Sequence, residues 1–552
     1  MSGWARPRAM AHFGPTEGDV RPYALAMMPS IGPGEFQAER EALLERAGAA
    51  ASRLARVAVG ATSLGRERAM LRLIGVTGLD REGRPLAAEV VDRYVEGHAT
   101  RLAMGIGFPF AMALLEYDTT PQQLALDVAA GSVDLQLESE LLAEPERYAA
   151  AADLLSRLAI AAVDRIDANR VARGELIDML HDRPRPWIGA TIHEPSIEGA
   201  EREAGHLVRA GFDLARVEVP ATRELAIRLG ELGEDVQWRP RGPEGEPENT
   251  PVGSQRGLSQ LRQVLDRAAV ERGAYVRLAI APTALAGPEG AIVAAFERAD
   301  VLELGPMREM FVTGVDPERA LVDFAFAVRV ARRAGVMVHL DAGPLMVAPD
   351  LDSGVNADPA TRAGRSVALQ LLAVLTARAC GIPAPNIIVG ALPVWFAGEP
   401  DAPARAMAEI ALRRALYDTY PLAFVEPVAD ETTGWAATVA AIQPGSGVAR
   451  IQLQHGTDPD RAEEIARAAR QASEVAARLE GQVEGGRLAG IARDHVAGSL
   501  AAAMATLDLL EREGWPALTG ATTARAGWGR VGADAVTATG NSTDPVERAL
   551  AG

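Results

Sequence analysis

The period of apolar positions changes near residue 184, and this change divides the chain into two kinds of region. Before it, apolar residues such as Leu43, Leu44 and Ala47 recur about every 3.6 positions, with charged residues on the opposite side. The same spacing predicts further helices at 86–96, 121–130 and 145–173. We therefore expect residues 35–183 to form an all-helical cap.

Beyond Pro184 and Pro186, short apolar runs alternate with amphipathic segments. The runs predict strands at 187–192, 214–219, 275–280, 301–304, 336–340, 387–391 and 422–425. The segments between them predict helices at 197–210, 222–232, 258–272, 289–298, 317–334, 360–379 and 402–416. Such alternation implies parallel strands, and seven or eight repeats over roughly 240 residues fit a closed (β/α)8 barrel better than an open sheet.

The remaining segments flank this predicted barrel. Residues 1–34 are rich in Pro, Gly and Met without a sustained period, and we expect an extended arm. Residues 429–552 contain helical patterns and end in a Gly-, Thr- and Ala-rich tail. The predicted fold class is therefore α/β: a TIM barrel at 184–428, with an N-terminal helical cap and a C-terminal helical extension.

Charge and hydropathy exclude two classes of partner. The 56 basic residues are outnumbered by 74 acidic ones, so the net charge is −18 and the surface would repel the phosphates of a nucleic acid. No apolar run reaches the roughly 18 residues of a membrane span, and the first residues lack a secretory pattern. With Cys380 as the single cysteine, these features predict a cytoplasmic protein.

All 56 basic residues are arginine, because the sequence contains no lysine. A Schiff base with a carbonyl substrate or with pyridoxal phosphate requires a lysine amine. This chain therefore cannot form one by itself.

Candidate chemistry lies at the carboxyl ends of the predicted strands, where TIM barrels carry their working residues. The polar residues found there include His193, Glu218, Arg277, Thr283, Glu303, His339 and Asp341. His193, His339 and Asp341 suit either a divalent metal or proton transfer, although each histidine is equally compatible with a hydrogen-bonded rim position. Glu218 and Glu303 lie inside apolar runs, so as buried carboxylates they would need partners such as Arg277 or Arg308.

Several stretches resemble the family of the lysine 5,6-aminomutase alpha subunit and D-ornithine 4,5-aminomutase. The matching motifs are RERAMLRLIG at 66–75, TPQQLA at 120–125, RPRPWI at 183–188, RAGFD at 209–213, GAYVRL at 273–278 and FERADVL at 296–302. The resemblance is collinear and covers most of the chain after the N-terminal arm.

This resemblance implies a radical isomerase that uses adenosylcobalamin and pyridoxal phosphate to move a terminal amino group by one carbon. The alpha subunit would be a barrel with pyridoxal phosphate at its mouth. A smaller, Rossmann-like beta subunit would bring cobalamin, the histidine that ligates cobalt and the lysine of the internal aldimine. A chain without lysine is compatible with this division of roles.

The departures from the family pattern fall where pyridoxal phosphate should bind. The family has an arginine followed by Thr/Ser-Thr-Gly-Gln-Ser-Leu-Leu, whereas this chain has Val219 in place of that arginine and Glu224 in place of the serine. Thr283 keeps the hydroxyl of a second phosphate contact, and Arg308 stands where the family has a tyrosine near the pyridine ring. The usual pyridoxal phosphate site is therefore predicted to be largely altered.

These observations lead to a set of role assignments for a small-molecule substrate such as an amino acid. The predicted catalytic residues are His193, Glu218 and Asp341. The predicted cofactor-binding residues are Thr283, Arg308 and His339. The predicted substrate-binding residues are Arg223, Arg277 and Glu303. Two alternatives stay open: a catalytically inactive barrel that binds a cobalamin protein, and a metal-assisted hydrolase built on His193, His339 and Asp341.

Overall fold

The computed structural model describes most of the chain between residues 35 and 551. The described ranges are 35–78, 85–96, 100–135, 145–194, 196–219, 255–282, 285–311, 315–340, 359–390, 424–426, 428–430, 447–453, 456–479, 487–518, 537–539 and 545–551. The predicted N-terminal arm, 1–34, and two predicted helices, 222–232 and 402–416, lie outside the described residues.

A parallel sheet forms the centre of the protein. Its strands, in chain order, are β2 (Trp187–Thr191), β3 (Leu214–Val219), β4 (Arg277–Pro282), β5 (Val301–Leu304), β6 (Met337–Leu340), β7 (Ile387–Gly390), β8 (Phe424–Glu426), β9 (Val428–Asp430) and β10 (Val448–Gln452). Each strand pairs in parallel with its neighbours in the order β8-β7-β6-β5-β4-β3-β2-β10-β9. The two outermost strands, β8 and β9, are separated in the chain by residue 427 alone, so the two ends of the sheet adjoin and the barrel is nearly closed. The predicted TIM-barrel fold is confirmed.

Alternation along each strand gives the barrel two apolar layers. On β3, Ala215 and Val217 belong to the large core between the strands and the surrounding helices. Leu214 belongs instead to a smaller apolar cluster with Trp187, Val301 and other strand residues, which fills the lower part of the lumen. Residues two positions further along the strands therefore face the upper lumen.

Helices surround the barrel and form the cap. Those before the first barrel strand are α1 (Gln37–Val59), α2 (Leu64–Leu73), α3 (Leu86–Val95), α4 (Thr100–Met104), α5 (Gly107–Tyr117), α6 (Pro121–Ala129) and α7 (Pro145–Leu180). Those of the barrel are α8 (Ile197–Ala210), α9 (Gln255–Arg272), α10 (Gly287–Phe296), α11 (Pro306–Phe311), α12 (Pro317–Ala334) and α13 (Pro359–Ala379). Those after the last barrel strand are α14 (Pro459–Leu479), α15 (Arg487–Glu513) and α16 (Pro545–Ala551). None of the described helices is long and apolar enough to cross a membrane.

Local sequence explains where several helices begin and end. The Thr120 side chain accepts a hydrogen bond from the backbone N–H of Gln123, and Pro121 occupies the first helical position, so both favour the start of α6. Gly131, one residue beyond the Ala130 C-cap, has a φ of +75°, which glycine adopts without strain. The predicted helix 121–130 thus agrees with the structure to within one residue.

The segments before and after the barrel are interlocked. Helix α15 packs against α13 so closely that a Cβ atom on Gly364 would lie 2.2 Å from the Ser499 carbonyl oxygen. Strand β1 (Ala61–Ser63) pairs in antiparallel fashion with β11 (Thr537–Thr539). The cap is therefore completed by residues from the far end of the chain.

One barrel strand was not predicted from the sequence. Strand β10 lies beyond the range 184–428 that the sequence predicts for the barrel, and it pairs in parallel with β2 through Val448 beside Trp187. The pattern of apolar runs predicts seven strands, and β10 provides the eighth position of the ring.

Candidate functional site

Four charged or titratable residues lie together in the upper half of the barrel lumen. Arg216 lies on β3, Glu303 on β5, His339 on β6 and Arg450 on β10. Each lies two residues after a member of the lower apolar cluster or a residue packed against it, so strand alternation brings them to the same face. In the register of β5 with β6, Glu303 stands directly beside His339. We call these four residues the lumen cluster.

Glu303 is the centre of the lumen cluster. Arg216 donates two hydrogen bonds to it, from Nε to Oε1 at 2.8 Å and from Nη2 to Oε2 at 2.9 Å. Arg450 donates a third from Nη1 to Oε1 at 3.1 Å. The intervening strand β4 carries the small residue Ala279 next to Arg216, which leaves room for the arginine to reach from β3 to β5. The cluster thus links three strands across the lumen.

The electrostatics of Glu303 favour a permanently ionised carboxylate. Burial alone would raise its pKa, but the charges of His339, Arg216 and Arg450 outweigh burial and hold the pKa well below its ordinary value. The bidentate hydrogen bonds from Arg216 act in the same direction. Glu303 is therefore suited to hold arginines in place and unsuited to act as a general acid or base near neutral pH.

Glu218 connects the lumen cluster to the barrel mouth. Its carboxylate accepts a hydrogen bond from Nη1 of Arg216 at 2.8 Å, and 68% of its side chain is exposed. It lies one residue before the end of β3, at the carboxyl edge of the sheet. Glu218 is thus oriented by a buried cation and accessible to a ligand.

His193 lies at the same edge, just after β2. Its Nε2 atom is 3.1 Å from the carbonyl oxygen of Leu453, which follows β10. The backbone N–H groups of His193 and Glu194 both donate to the carboxylate of Glu203 on α8. These contacts fix the histidine where two neighbouring barrel strands end.

Arg277 lies at the opposite end of the barrel. It is the first residue of β4, where it pairs with Asp182 at 2.5 Å and its guanidinium carbon lies 3.4 Å from the ring centre of Trp187. The expectation that Arg277 is a partner of Glu218 or Glu303 is wrong, because the first residue of a parallel strand lies at the amino edge of the sheet. Arg216 and Arg450 are the actual partners.

The other predicted site residues are only partly accounted for by the structure. Arg308 lies half-buried on α11, directly after β5. Thr283, Arg223 and Asp341 lie outside the described residues. Among the residues that the structure describes, no group of three His, Cys, Asp or Glu side chains is arranged to hold a metal ion.

The described mouth residues do not fit the phosphate of pyridoxal phosphate. The two lumen arginines, Arg216 and Arg450, already bind Glu303, and the exposed group next to them is the anionic Glu218. A phosphate dianion at this place would be repelled by Glu218. The geometry suits a cationic group of a ligand better, because an exposed carboxylate held by a buried arginine is a ready acceptor for an ammonium.

Sequence reasoning missed Arg216 and Arg450. In the run Leu-Ala-Arg-Val-Glu-Val, Arg216 and Glu218 alternate with apolar residues, and such alternation is a signal for one polar face of a strand. Arg450 lies on the strand that was not predicted.

Comparison with known proteins identifies relatives of this chain. A family model described as the D-lysine 5,6-aminomutase TIM-barrel domain of the alpha subunit matches residues 38–435. The lysine 5,6-aminomutase alpha subunit of Acetoanaerobium sticklandii is 26% identical over 274 residues, which are 50% of this chain and 49% of that protein. The same subunit of Fusobacterium nucleatum is 24% identical over 362 residues, 65% of each chain. The matched part of the chain thus spans less than two thirds of either relative.

Similarity to solved structures is weaker. N-acetylneuraminic acid synthetase of Leptospira borgpetersenii aligns with a TM-score of 0.33 and 11% identity over 53% of this chain and 85% of that chain. Dihydropteroate synthase of Yersinia pestis aligns with a TM-score of 0.29 and 15% identity over 52% of this chain and 93% of that chain. These similarities are too low to carry a functional argument.

Proposed function

The chain belongs to the family of D-lysine 5,6-aminomutase alpha-subunit TIM-barrel domains, and from this membership we propose that it is the barrel subunit of an adenosylcobalamin-dependent, aminomutase-like radical isomerase. The observation that carries the proposal is the family match over residues 38–435, which includes the cap and strands β2 to β9. The proposed reaction moves an amino group, or a related group, within a small molecule such as an amino acid.

A second subunit is part of this proposal. The relatives are named as alpha subunits. In this chain, Asp494-His495 only superficially resembles a cobalt-ligating histidine motif, and it lies within the helix α15. We therefore do not assign cobalt ligation to it. A smaller Rossmann-like subunit would therefore bring cobalamin to the barrel mouth. When bound there, adenosylcobalamin would supply the radical chemistry of the isomerisation.

The residues of this chain bind and orient the substrate. Glu218 accepts hydrogen bonds from an ammonium group of the substrate, while Nη1 of Arg216 keeps its carboxylate in place. Glu303 and Arg450 hold Arg216 from below and fill the lumen, so water has little access beneath the substrate.

The proton-transfer group in this proposal is His193, which lies at the carboxyl edge of the sheet. A carbonyl oxygen only accepts hydrogen bonds, so Nε2 of His193 is the donor in the contact with Leu453. Nδ1 is therefore the ring nitrogen that we assign to proton exchange with the substrate. Asp341, Thr283 and Arg308 remain predicted contributors to the same edge.

Binding of pyridoxal phosphate in the family's usual mode is not part of this proposal. The described mouth presents the exposed carboxylate of Glu218 next to the lumen arginines, and this carboxylate would repel a dianionic phosphate bound beside it. The proposed isomerase therefore differs from its relatives in how it holds the amino group.

The experiment is reconstitution of the purified chain with the protein encoded by the neighbouring gene. Adenosylcobalamin and pyridoxal phosphate are added separately, and visible spectra and amino-acid conversion are recorded. We expect a cobalamin spectrum only with the second protein, no aldimine band with this chain alone, and conversion of a small amino acid. Absence of cobalamin binding by the reconstituted pair would refute the proposal.

A matched pair of variants tests the site. Glu218→Gln should lower kcat/KM at least about 10-fold, because it removes the charge that meets the substrate. Glu463→Gln is the control, since Glu463 is also an exposed carboxylate, 53% accessible, paired with an arginine, Arg467. Equal activity of the two variants would show that Glu218 does not bind the substrate.

A catalytically inactive barrel is the second candidate function. The replacements at Val219 and Glu224 favour it, because they remove a cation and add an anion at the family's phosphate-binding stretch. In that case the reconstituted pair binds cobalamin but converts no substrate, and Glu218→Gln leaves assembly unchanged.

A further inference from the structure

A dense group of arginines lies at the amino-terminal face of the barrel, opposite the mouth. Three of them converge on Asp213, which directly precedes β3: Arg272 from the end of α9, Arg470 from α14, and Arg183 from the segment before β2. The Asp213 side chain is fully buried, whereas those of Arg183 and Arg470 are 36% and 31% exposed. We call Arg183, Arg272 and Arg470 the arginine triad.

The hydrogen-bonding capacity of Asp213 is taken up by its other partners. Its carboxylate accepts from the backbone N–H of Ile188 at 3.2 Å, from Nη2 of Arg272, and from Nη2 of Arg470 at 3.1 Å. Arg183 comes no closer than 3.7 Å, which is beyond hydrogen-bonding distance. One carboxylate therefore serves three guanidinium groups, and the arginine triad with Asp213 carries two excess positive charges.

Neighbouring residues add to the positive charge. The backbone N–H of Arg277 donates to the Asp213 carbonyl oxygen at 2.8 Å, so the two sites adjoin. The guanidinium carbons of Arg277 and Arg185 lie 3.4 Å and 4.6 Å from the ring centre of Trp187, and Asp182 is the carboxylate paired with Arg277. Arg185 and Arg277 thus extend the arginine-rich surface next to the arginine triad, in a protein whose net charge is −18.

The two excess positive charges repel each other, and this repulsion costs free energy of folding. Stabilisation of the single Asp213 carboxylate does not explain why so many arginines are present. Burial, and then the charge of Arg272, lowers the pKa of Arg183, with Arg470 acting in the same direction against the pull of Asp213. Within the described part of the chain, Nε of Arg272 and Nη1 of Arg277 are buried and have no hydrogen-bond partner. The guanidinium of Arg183, which is 36% exposed and lies beyond hydrogen-bonding distance of Asp213, is therefore available for a further anion.

We propose that the arginine triad binds a phosphate group, supplied either by inorganic phosphate or by a phosphate ester. Guanidinium groups bind phosphate oxygens through paired hydrogen bonds, and a dianion matches the two excess charges. Arg183 and Arg470 are exposed enough to receive the ligand, while Arg272 forms the buried side of the site. This site is separate from the barrel mouth and does not depend on the isomerase activity.

Calorimetric titration of the full chain with inorganic phosphate tests the proposal, with chloride holding the ionic strength constant. We expect saturable binding, weakened at least 10-fold in Arg183→Gln. Arg93→Gln is the matched control, because Arg93 is 40% exposed and pairs with a buried carboxylate, Glu89, elsewhere on the surface. The control should bind phosphate like the unmodified chain, and circular dichroism verifies that both variants are folded.

Several results would overturn the proposal: no saturable binding to the unmodified chain, equal binding by Arg183→Gln, or equal weakening in both variants. A parallel titration with glycerol 3-phosphate separates the two sources. Tighter binding of the ester than of inorganic phosphate identifies an ester ligand, and equal binding identifies the phosphate group itself as the recognised unit.

Discussion

Replacing Glu303 with glutamine would remove the anion that holds two arginines inside the barrel. The substitution keeps the size and shape of the side chain but leaves Arg216 and Arg450 facing a neutral amide. Their side chains are only 10% and 18% exposed, so water cannot fully replace the lost charge. Breaking a buried ion pair in this way typically costs about 3–5 kcal/mol.

Glu511 provides a matched control for this substitution. It also bridges two arginines, Arg46 at 2.5 Å and Arg53 at 3.3 Å, but 39% of its side chain is exposed, compared with 10% for Glu303. Surface ion pairs contribute about 0–1 kcal/mol, so Glu511→Gln should be nearly neutral. The difference between the two variants isolates the effect of burial.

The assay is hydrogen exchange measured by mass spectrometry on peptides from β3, β5 and β10, together with urea unfolding. Glu303→Gln should speed exchange in these strands and lower the urea midpoint by about 1 M, whereas Glu511→Gln should change neither. Because the folded-state pKa of Glu303 is lowered, its stabilising effect is present above the ordinary glutamate pKa and is lost as the pH falls below it. Stabilities of the two variants within 1 kcal/mol of each other would refute the reasoning.

Three further predictions concern the packing around the barrel. Burial, and then the charge of Asp323, raises the pKa of Glu309 to about 8, so the folded state retains a proton that the unfolded state loses. The free energy of unfolding should therefore fall as the pH rises from about 5 to 8. Glu309→Gln should flatten this dependence in urea midpoints measured across that range. Gly364→Ala should loosen α15 from α13 and expose α15 to limited proteolysis, because the added Cβ meets backbone atoms of α15. The control is Gly174→Ala on α7, whose added Cβ meets nothing within 4 Å and should be neutral or stabilising by up to about 1 kcal/mol. Arg173 donates to three carbonyl oxygens at the amino-terminal face of the barrel. Arg173→Met should therefore destabilise the contact of α7 with the barrel by about 2–4 kcal/mol, measured as faster hydrogen exchange in α7. Unchanged exchange would contradict this prediction.

The barrel was predictable because its signals are local. Apolar runs such as Val301–Leu304 and Leu214–Val219 are bounded by helical patterns, and the structure gives both strands the predicted limits. Strand β10 was missed because its sequence, Val-Ala-Arg-Ile-Gln, has neither a continuous apolar run nor a regular alternation and is only five residues long. Its strand conformation depends on pairing with β2, which is distant in sequence.

The candidate site was only partly predictable for a related reason. His339, Glu303 and Glu218 were found as polar residues within apolar runs, but their partners were not. In a barrel surrounded by helices both faces of a strand are buried, so alternation does not reveal which face carries a cluster. The register that places Arg216 beside Ala279, and so opens the path to Glu303, is a property of the assembled sheet. The roles of Asp341, Thr283 and Arg223 stay predictions.

The pairing of β1 with β11 bears on how the protein is made. Ala61–Ser63 leave the ribosome early and Thr537–Thr539 leave it late, so the short edge strand has no native neighbour during most of translation. Until then its open backbone groups are a template for intermolecular pairing. This part of the cap can therefore form only after residue 537 has been translated, late in biosynthesis.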